Sequence, residues 1–260
     1  MNSHGSVLNQ FLSLLKYMDN YRSVVSILLG GSFIKEDTSN EKDIDLMVYC
    51  KDNMGKKLLT EIKTKITDKN TQKLFDIKII ELSSLKEINN SNYAAYFYHF
   101  TKNSQLIEGK DLRDSFKTND AILFQLLNKN IEEVDKIRDI FYLYNQKVFA
   151  EIILFKTLKT ITIIGELLGF QIDRKTLTSE EMMFRIYGNT LYNIKKKVKK
   201  ARTWLSIYEP KGKKGIFGSE QVFIKMKKKA SITDISNTSF DSLLQKTRFL
   251  SQEILELLES

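Results

Sequence analysis

The sequence predicts a mixed α/β half followed by an all-helical half. In class terms this is α/β (α+β), a small mixed sheet with flanking helices and then a helical bundle. Three observations carry that prediction. Short β-branched apolar runs alternate with helical repeats up to about residue 115, and from Asp120 onward only the helical repeat remains. The 260 residues include one proline, Pro210, where average usage of about 5% would give roughly thirteen. Long uninterrupted helices are therefore permitted. The composition, 42% hydrophobic and 28% charged, is that of a globular chain and excludes wholesale disorder or a fibrous repeat.

The elements follow in order. Leu8, Phe11, Leu12, Leu14, Leu15 and Met18 repeat at helical spacing and predict a helix over 7–21. Ser23 to Leu29 is β-branched and apolar and runs into Gly30-Gly31, a strand ending at a turn. In Asp43 to Cys50, Ile44, Leu46 and Val48 alternate with Asp43, Asp45 and Met47, which places two acids on one face of a second strand. Residues 54–67 read as helix. Phe75 to Leu82 is a third strand with Asp76 and Lys78 on one face and Ile77 and Ile79 on the other.

A helix over 92–102 contains Tyr96-Phe97-Tyr98-His99-Phe100, and a turn at Glu108-Gly109-Lys110 closes this half. Beyond it, an apolar helical pattern runs with interruptions from Leu123 to Phe170. Thr178 and Glu181 are spaced as a capping box at the start of another helix. A basic helix is expected over 191–207, a loop over 209–218 and a final amphipathic helix over 240–258. The predicted domains are residues 1–117 and 118–260.

Residue types narrow the chemistry. One cysteine, Cys50, excludes an internal disulfide framework and a cysteine-based zinc site, and fits a reducing cytoplasm. Two histidines, His4 and His99, exclude a histidine-rich metal centre. A metal here must be held by carboxylates, which points to a hard ion such as magnesium. No apolar run reaches the roughly twenty residues of a membrane span, and the first residues lack a signal-peptide pattern. The expected location is the cytoplasm, with no membrane partner; oligomer formation stays open.

The informative segment is Leu28-Leu29-Gly30-Gly31-Ser32-Phe33, then Asp43-Ile44-Asp45-Leu46, then Asp76 on the next strand. Glycines let backbone approach a ligand closely, and backbone N–H groups with the Ser32 hydroxyl can cradle phosphate oxygens. Aspartates at i and i+2 on a strand point the same way, about 6–7 Å apart. Three carboxylates facing one pocket repel one another unless cations are bound. Two magnesium ions about 3.5–4 Å apart suit in-line displacement at phosphorus.

This order of Gly-Gly-Ser turn, Asp-Ile-Asp pair and later strand acid resembles the polymerase-β-like nucleotidyltransferase superfamily. It is most similar to small bacterial and archaeal domains, among them antibiotic-modifying and toxin–antitoxin-associated ones. The resemblance covers roughly residues 7–115, and Glu108 to Leu112 is similar to the end of such domains. It implies a sheet of nucleotidyltransferase type in which Asp43 and Asp45 hold the metals. Asp76 would help bind one metal and serve as, or assist, the general base. Gly31 and Ser32 would bind the triphosphate, with Lys35 and Lys78 as phosphate contacts.

The implied reaction is magnesium-dependent transfer of a nucleoside monophosphate, AMP in the first instance, from an NTP to an acceptor hydroxyl. Two alternatives stand beside it: a small-molecule, antibiotic-type acceptor, and a non-catalytic antitoxin-like or RNA-binding module.

Charge bears on the acceptor. The chain carries 41 Lys+Arg against 32 Asp+Glu, net +9. Residues 185–229 hold fourteen Lys/Arg and two Glu, net +12, so the rest of the chain is net −3. Lysine clusters bind phosphate backbones without reading sequence, and Lys196, Lys200, Arg202, Lys213 and Lys214 are the candidate nucleic-acid contacts. A polycationic acceptor would be repelled by such a block, whereas an RNA end, a tRNA or another anion would be attracted.

Overall fold

The computed structural model describes residues 3–34, 44–91, 93–201, 204–208 and 237–259. The chain forms two compact units, one from residues 1–117 and 203–217, the other from residues 118–202 and 218–260.

The first unit is built on a five-stranded mixed sheet. Its strands are β1 (Val24–Gly30), β2 (Ile44–Cys50), β3 (Phe75–Glu81), β4 (Gln105–Gly109) and β7 (Leu205–Ile207), in the order β4-β1-β2-β3-β7. β1 runs antiparallel to β2 and β4, while β3 is parallel to β2 and to β7.

The central strands are buried on both faces. Ile27, Leu29, Ile44, Leu46, Val48, Ile77 and Ile79 meet Leu8, Phe11 and Leu15 of α1 (Ser3–Lys16) and Leu58 and Ile62 of α2 (Gly55–Lys65). On the other face Leu28, Met47, Tyr49 and Ile80 pack with Ile88 of α4 (Leu85–Asn89), Phe97 and Phe100 of α5 (Ala94–Lys102), Phe116 and Tyr208. Alternation along each strand sends successive residues to opposite faces; here both faces are core.

Several elements differ from the sequence expectation. α1 ends at Lys16, and Asp19–Ser23 forms a 3-10 turn. The Glu61 carboxylate accepts from the backbone N–H of Asp19 and Asn20 and from the Asn20 side chain, giving the turn's donors a partner outside a helix. A short α3 (Lys69–Leu74) precedes β3, its first turn capped by Asp68. The segment read as a turn around Gly109 is strand β4. The basic helix ends at Ala201 rather than continuing to Ile207, because Leu205–Ile207 pairs with β3 as β7. Its ladder is extended by Ile77 N–H donating to the Trp204 carbonyl and Tyr208 N–H to that of Ile79.

The second unit is helical apart from the two-residue hairpin strands β5 (Gln171–Ile172) and β6 (Lys175–Thr176). α6 (Asp120–Tyr142) and α7 (Lys147–Leu167) form an antiparallel pair, broken at 143–146 where Asn145 takes φ +50°. α8 (Ser179–Tyr187) opens with the capping box expected of Thr178 and Glu181. α9 (Leu191–Ala201) buries Leu191, Ile194 and Val198 along one stripe. α10 (Asn237–Glu259) joins α6 through stacked rings of Phe141 and Phe240, 3.8 Å between centroids. Among the described residues no helix is long and apolar enough to cross a membrane.

Candidate active site

Strand direction brings Gly30, Asp45 and Asp76 to one end of the sheet. β1 finishes at Gly30 where β2 begins, and Gly30 is opposite Asp45 in the register. β2 and β3 run the same way from the same end, and Asp45 is opposite Asp76. Three separate sequence segments thus meet across adjacent strands. Asp45 and Asp76 share the face occupied further along by Met47 and Tyr49, so the carboxylates sit at the rim of an apolar layer.

The glycine turn is fitted closely to this rim. Gly31 opens a 3-10 turn, Gly31–Phe33, with φ +72°. A side chain there would enter the space of the Asp45 carboxylate, and Oδ2 lies where its Cβ would need to be. Gly30 has ordinary extended backbone, but a Cβ on it would lie 2.4 Å from Cε2 of Phe100. The first glycine admits α5 against the strand end; the second admits a carboxylate.

On β3, Lys78 lies on the same face as Asp76. Its side chain is only 3% exposed, that of Asp76 15%, and its Nζ is 3.4 Å from Asp76 Oδ2. Nζ also donates to the Tyr96 hydroxyl at 2.9 Å and lies 5.3 Å from the centroid of that ring. Lys78 is thus directed at Asp76 and Tyr96, inside the layer.

Asp43 and Lys35 lie outside the described residues, as does the Ser32 side chain. Among the described residues no group of three or more His, Cys, Asp or Glu could hold a metal. The donor chemistry nevertheless suits a hard divalent ion. Asp45 and Asp76 supply carboxylate oxygens from paired positions, and the absent side chain at Gly31 leaves room for one of them.

Residues 13–95 match the family model for polymerase beta nucleotidyltransferases. This segment is similar to the nucleotidyltransferase domain of polymerase beta. The match spans Gly30, Gly31, Asp45, Asp76 and Lys78 and ends inside α5, before β4 and β7. Among solved structures, the spectinomycin adenyltransferase AAD(9) from Enterococcus faecialis, crystallised with ATP and spectinomycin, is 10% identical, with TM-score 0.38 and 98% of each chain covered. No curated protein matches the sequence.

Two parts of the candidate site are not legible in the sequence. Tyr96 and Phe100 contact Lys78 and the Gly30 backbone from α5; the aromatic run 96–100 marks a helix in the sequence but not these contacts. Tyr208, with rings of Tyr93 and Phe97 6.1 and 5.6 Å away, backs the same helix. Nothing in a three-residue strand after a basic helix signals that contact.

In the basic segment, Lys195 pairs with Glu180, and Lys197 lies 2.8 Å from Glu151. Lys196 is exposed, over the Tyr192 ring at 5.7 Å. Arg202, Lys213, Lys214 and the Lys200 side chain lie outside the described residues.

Proposed function

We propose that this chain transfers a nucleoside monophosphate, AMP from ATP in the first instance, to an acceptor hydroxyl. The acceptor oxygen forms a bond to the α-phosphorus, the bond from that phosphorus to the bridging oxygen breaks, and pyrophosphate leaves. The acceptor proton passes to a carboxylate. The observation that supports this reading is the register Gly30–Asp45–Asp76 across β1, β2 and β3, which sets a glycine turn beside two acids.

In this reading Asp43 and Asp45 hold magnesium, Asp76 contributes to that site and receives the acceptor proton, and Gly31, Ser32 and Lys35 bind the triphosphate. Magnesium, when bound, neutralises charge that develops on the phosphate oxygens. The chain's own part is to fix the carboxylates at a partly dry rim, where electrostatic contacts are stronger than in water. The proposed place of action is the cytoplasm, in keeping with a single buried cysteine.

The test is incubation with α-labelled NTPs and magnesium, beside total RNA and a panel of hydroxylated antibiotics. Label should move to an acceptor, and Asp43→Ala and Asp45→Ala should each abolish the transfer without loss of fold. Full activity in both variants would refute the site assignment.

An anionic acceptor such as an RNA end is the second reading, favoured by the net +12 of residues 185–229. Lys195 and Lys197 are already engaged by Glu180 and Glu151. Lys196, Lys200, Arg202, Lys213 and Lys214 are the proposed contacts. A steep loss of RNA affinity with salt is required, since counterion release sets the slope.

A further inference from the structure

We infer that Lys78 and Tyr96 are positioning residues that act through Asp76, holding one of its carboxylate oxygens in a fixed direction for the acceptor hydroxyl. The inference rests on the nucleotidyl-transfer reading above and gives Lys78 a task other than touching the triphosphate.

Burial carries the first step. The ammonium group of a side chain only 3% exposed is held in place by what surrounds it, because removing a charge from water is costly unless partners compensate. Lys78 has an anion at 3.4 Å, a hydroxyl oxygen at 2.9 Å and an aromatic face at 5.3 Å. To reach a nucleotide it would have to give up all three.

The second step is the rigidity of Tyr96. Its ring meets Phe97 edge-on at 5.6 Å and Phe100 at 6.5 Å. Phe100 in turn lies against the Gly30 backbone. One helix, α5, therefore closes over the glycine turn and also grips Lys78.

The third step is the nature of an aspartate. The terminal torsion of its carboxylate is broad, with no strong staggered preference. Its direction must be chosen by neighbours. Lys78 engages Oδ2 from two residues along the same strand face, which selects one orientation before an acceptor arrives. Orientation of a reacting group in advance is worth large rate factors.

The experiment compares wild type, Lys78→Met and Tyr96→Phe. Tyr96→Phe keeps the ring and removes only the hydroxyl, so it tests the same clamp should Lys78→Met fold poorly. Steady-state kinetics should show kcat reduced about 10–100-fold in Lys78→Met, the range for loss of a supporting partner, and by less in Tyr96→Phe. The KM for ATP, and the Kd of a non-hydrolysable ATP analogue by calorimetry, should stay within about twofold. Thermal melting of each variant identifies any loss due to unfolding. A raised KM and Kd with kcat retained would overturn the inference, as would wild-type kcat in both variants; either result leaves nucleotidyl transfer itself standing. A wild-type chain that neither transfers a nucleotide nor binds the analogue overturns the functional reading and this inference with it.

Discussion

A Cβ atom added to Gly31 would lie 1.9 Å from Oδ2 of Asp45 and 2.8 Å from its Cγ. The two residues are thus fitted to each other: the carboxylate occupies the place of a side chain. Gly31→Ala adds that atom and also forces an alanine to φ +72°. The expected cost is about 1–3 kcal/mol for the backbone conformation, with Asp45 displaced as well. Urea denaturation should show the loss, and nucleotidyl transfer should fall by more than the unfolded fraction explains.

Asp45→Asn keeps the shape of the side chain and removes its charge. Mg-dependent transfer should fall at least about a hundredfold, on the scale of losing one electrostatic stabiliser of a transition state. The melting temperature should hold or rise, since repulsion from Asp76, its neighbour in the register, is relieved. A parallel fall in stability and activity would mean that Asp45 is structural.

The helical unit contains a buried ion pair, Lys197 with Glu151 at 2.8 Å, their side chains 19% and 8% exposed. Lys197→Met leaves Glu151 buried beside the raised-pKa phenol of Tyr187. A loss of about 3 kcal/mol is expected, the lower end of the range for breaking such a pair because Lys197 is partly exposed. Glu151→Leu combined with Lys197→Met should recover most of it. The check is a double-mutant cycle by chemical denaturation.

Tyr21 donates to Glu108, and burial first, then this hydrogen bond, pushes its phenol up to about 12. A group whose pKa is raised on folding contributes fully below its unfolded value, about 10, and loses that contribution as pH rises through the folded value. The wild type should therefore lose stability more steeply than Tyr21→Phe as pH rises from 10 toward 12. Denaturation midpoints at pH 9, 10 and 11 measure the two slopes. Tyr49 and Cys50, both also raised by burial, titrate in both proteins and cancel in the comparison.

Residues 1–117 without β7 should aggregate when expressed alone. β3 would then be an apolar edge, with Ile77 and Ile79 lacking the Trp204–Tyr208 segment. Light scattering, with and without an added peptide covering 203–209, checks this. Tyr208→Ala in the full chain should cost about 3 kcal/mol, in the range for a buried aromatic.

These tests separate what was legible in the sequence from what was not. The strands β1, β2 and β3 were readable because a period of two survives in runs of seven residues. Asp45 and Asp76 were readable as acids at strand starts. Their meeting at one pocket was expected, but the register that sets Asp45 opposite Asp76 was not legible, since register depends on which strands pair, and strand order is set by packing across the whole unit. β4 and β7 escaped for a local reason. With five and three residues they are too short to display a period, and β7 follows a helix whose sequence pattern continues into it. Lys78 was the instructive case. On a strand with one wet face it would be a solvated lysine, but here both faces are covered, and no single strand states what will lie on it.

The placement of β7 has a consequence for how the protein is made. The sheet that carries Asp45 and Asp76 is closed by residues 205–207, after more than a hundred residues beyond the end of β3. At roughly 5–20 residues per second, a ribosome needs about 6–25 s between releasing β3 and releasing its last partner. For that interval the nascent α/β layer has an unfilled edge while most of a helical unit is still being synthesised. Completion of this sheet is therefore a late event in the life of each new chain. A premature stop anywhere in α6 to α9 should leave a product with an unfinished sheet, however intact its first hundred residues are.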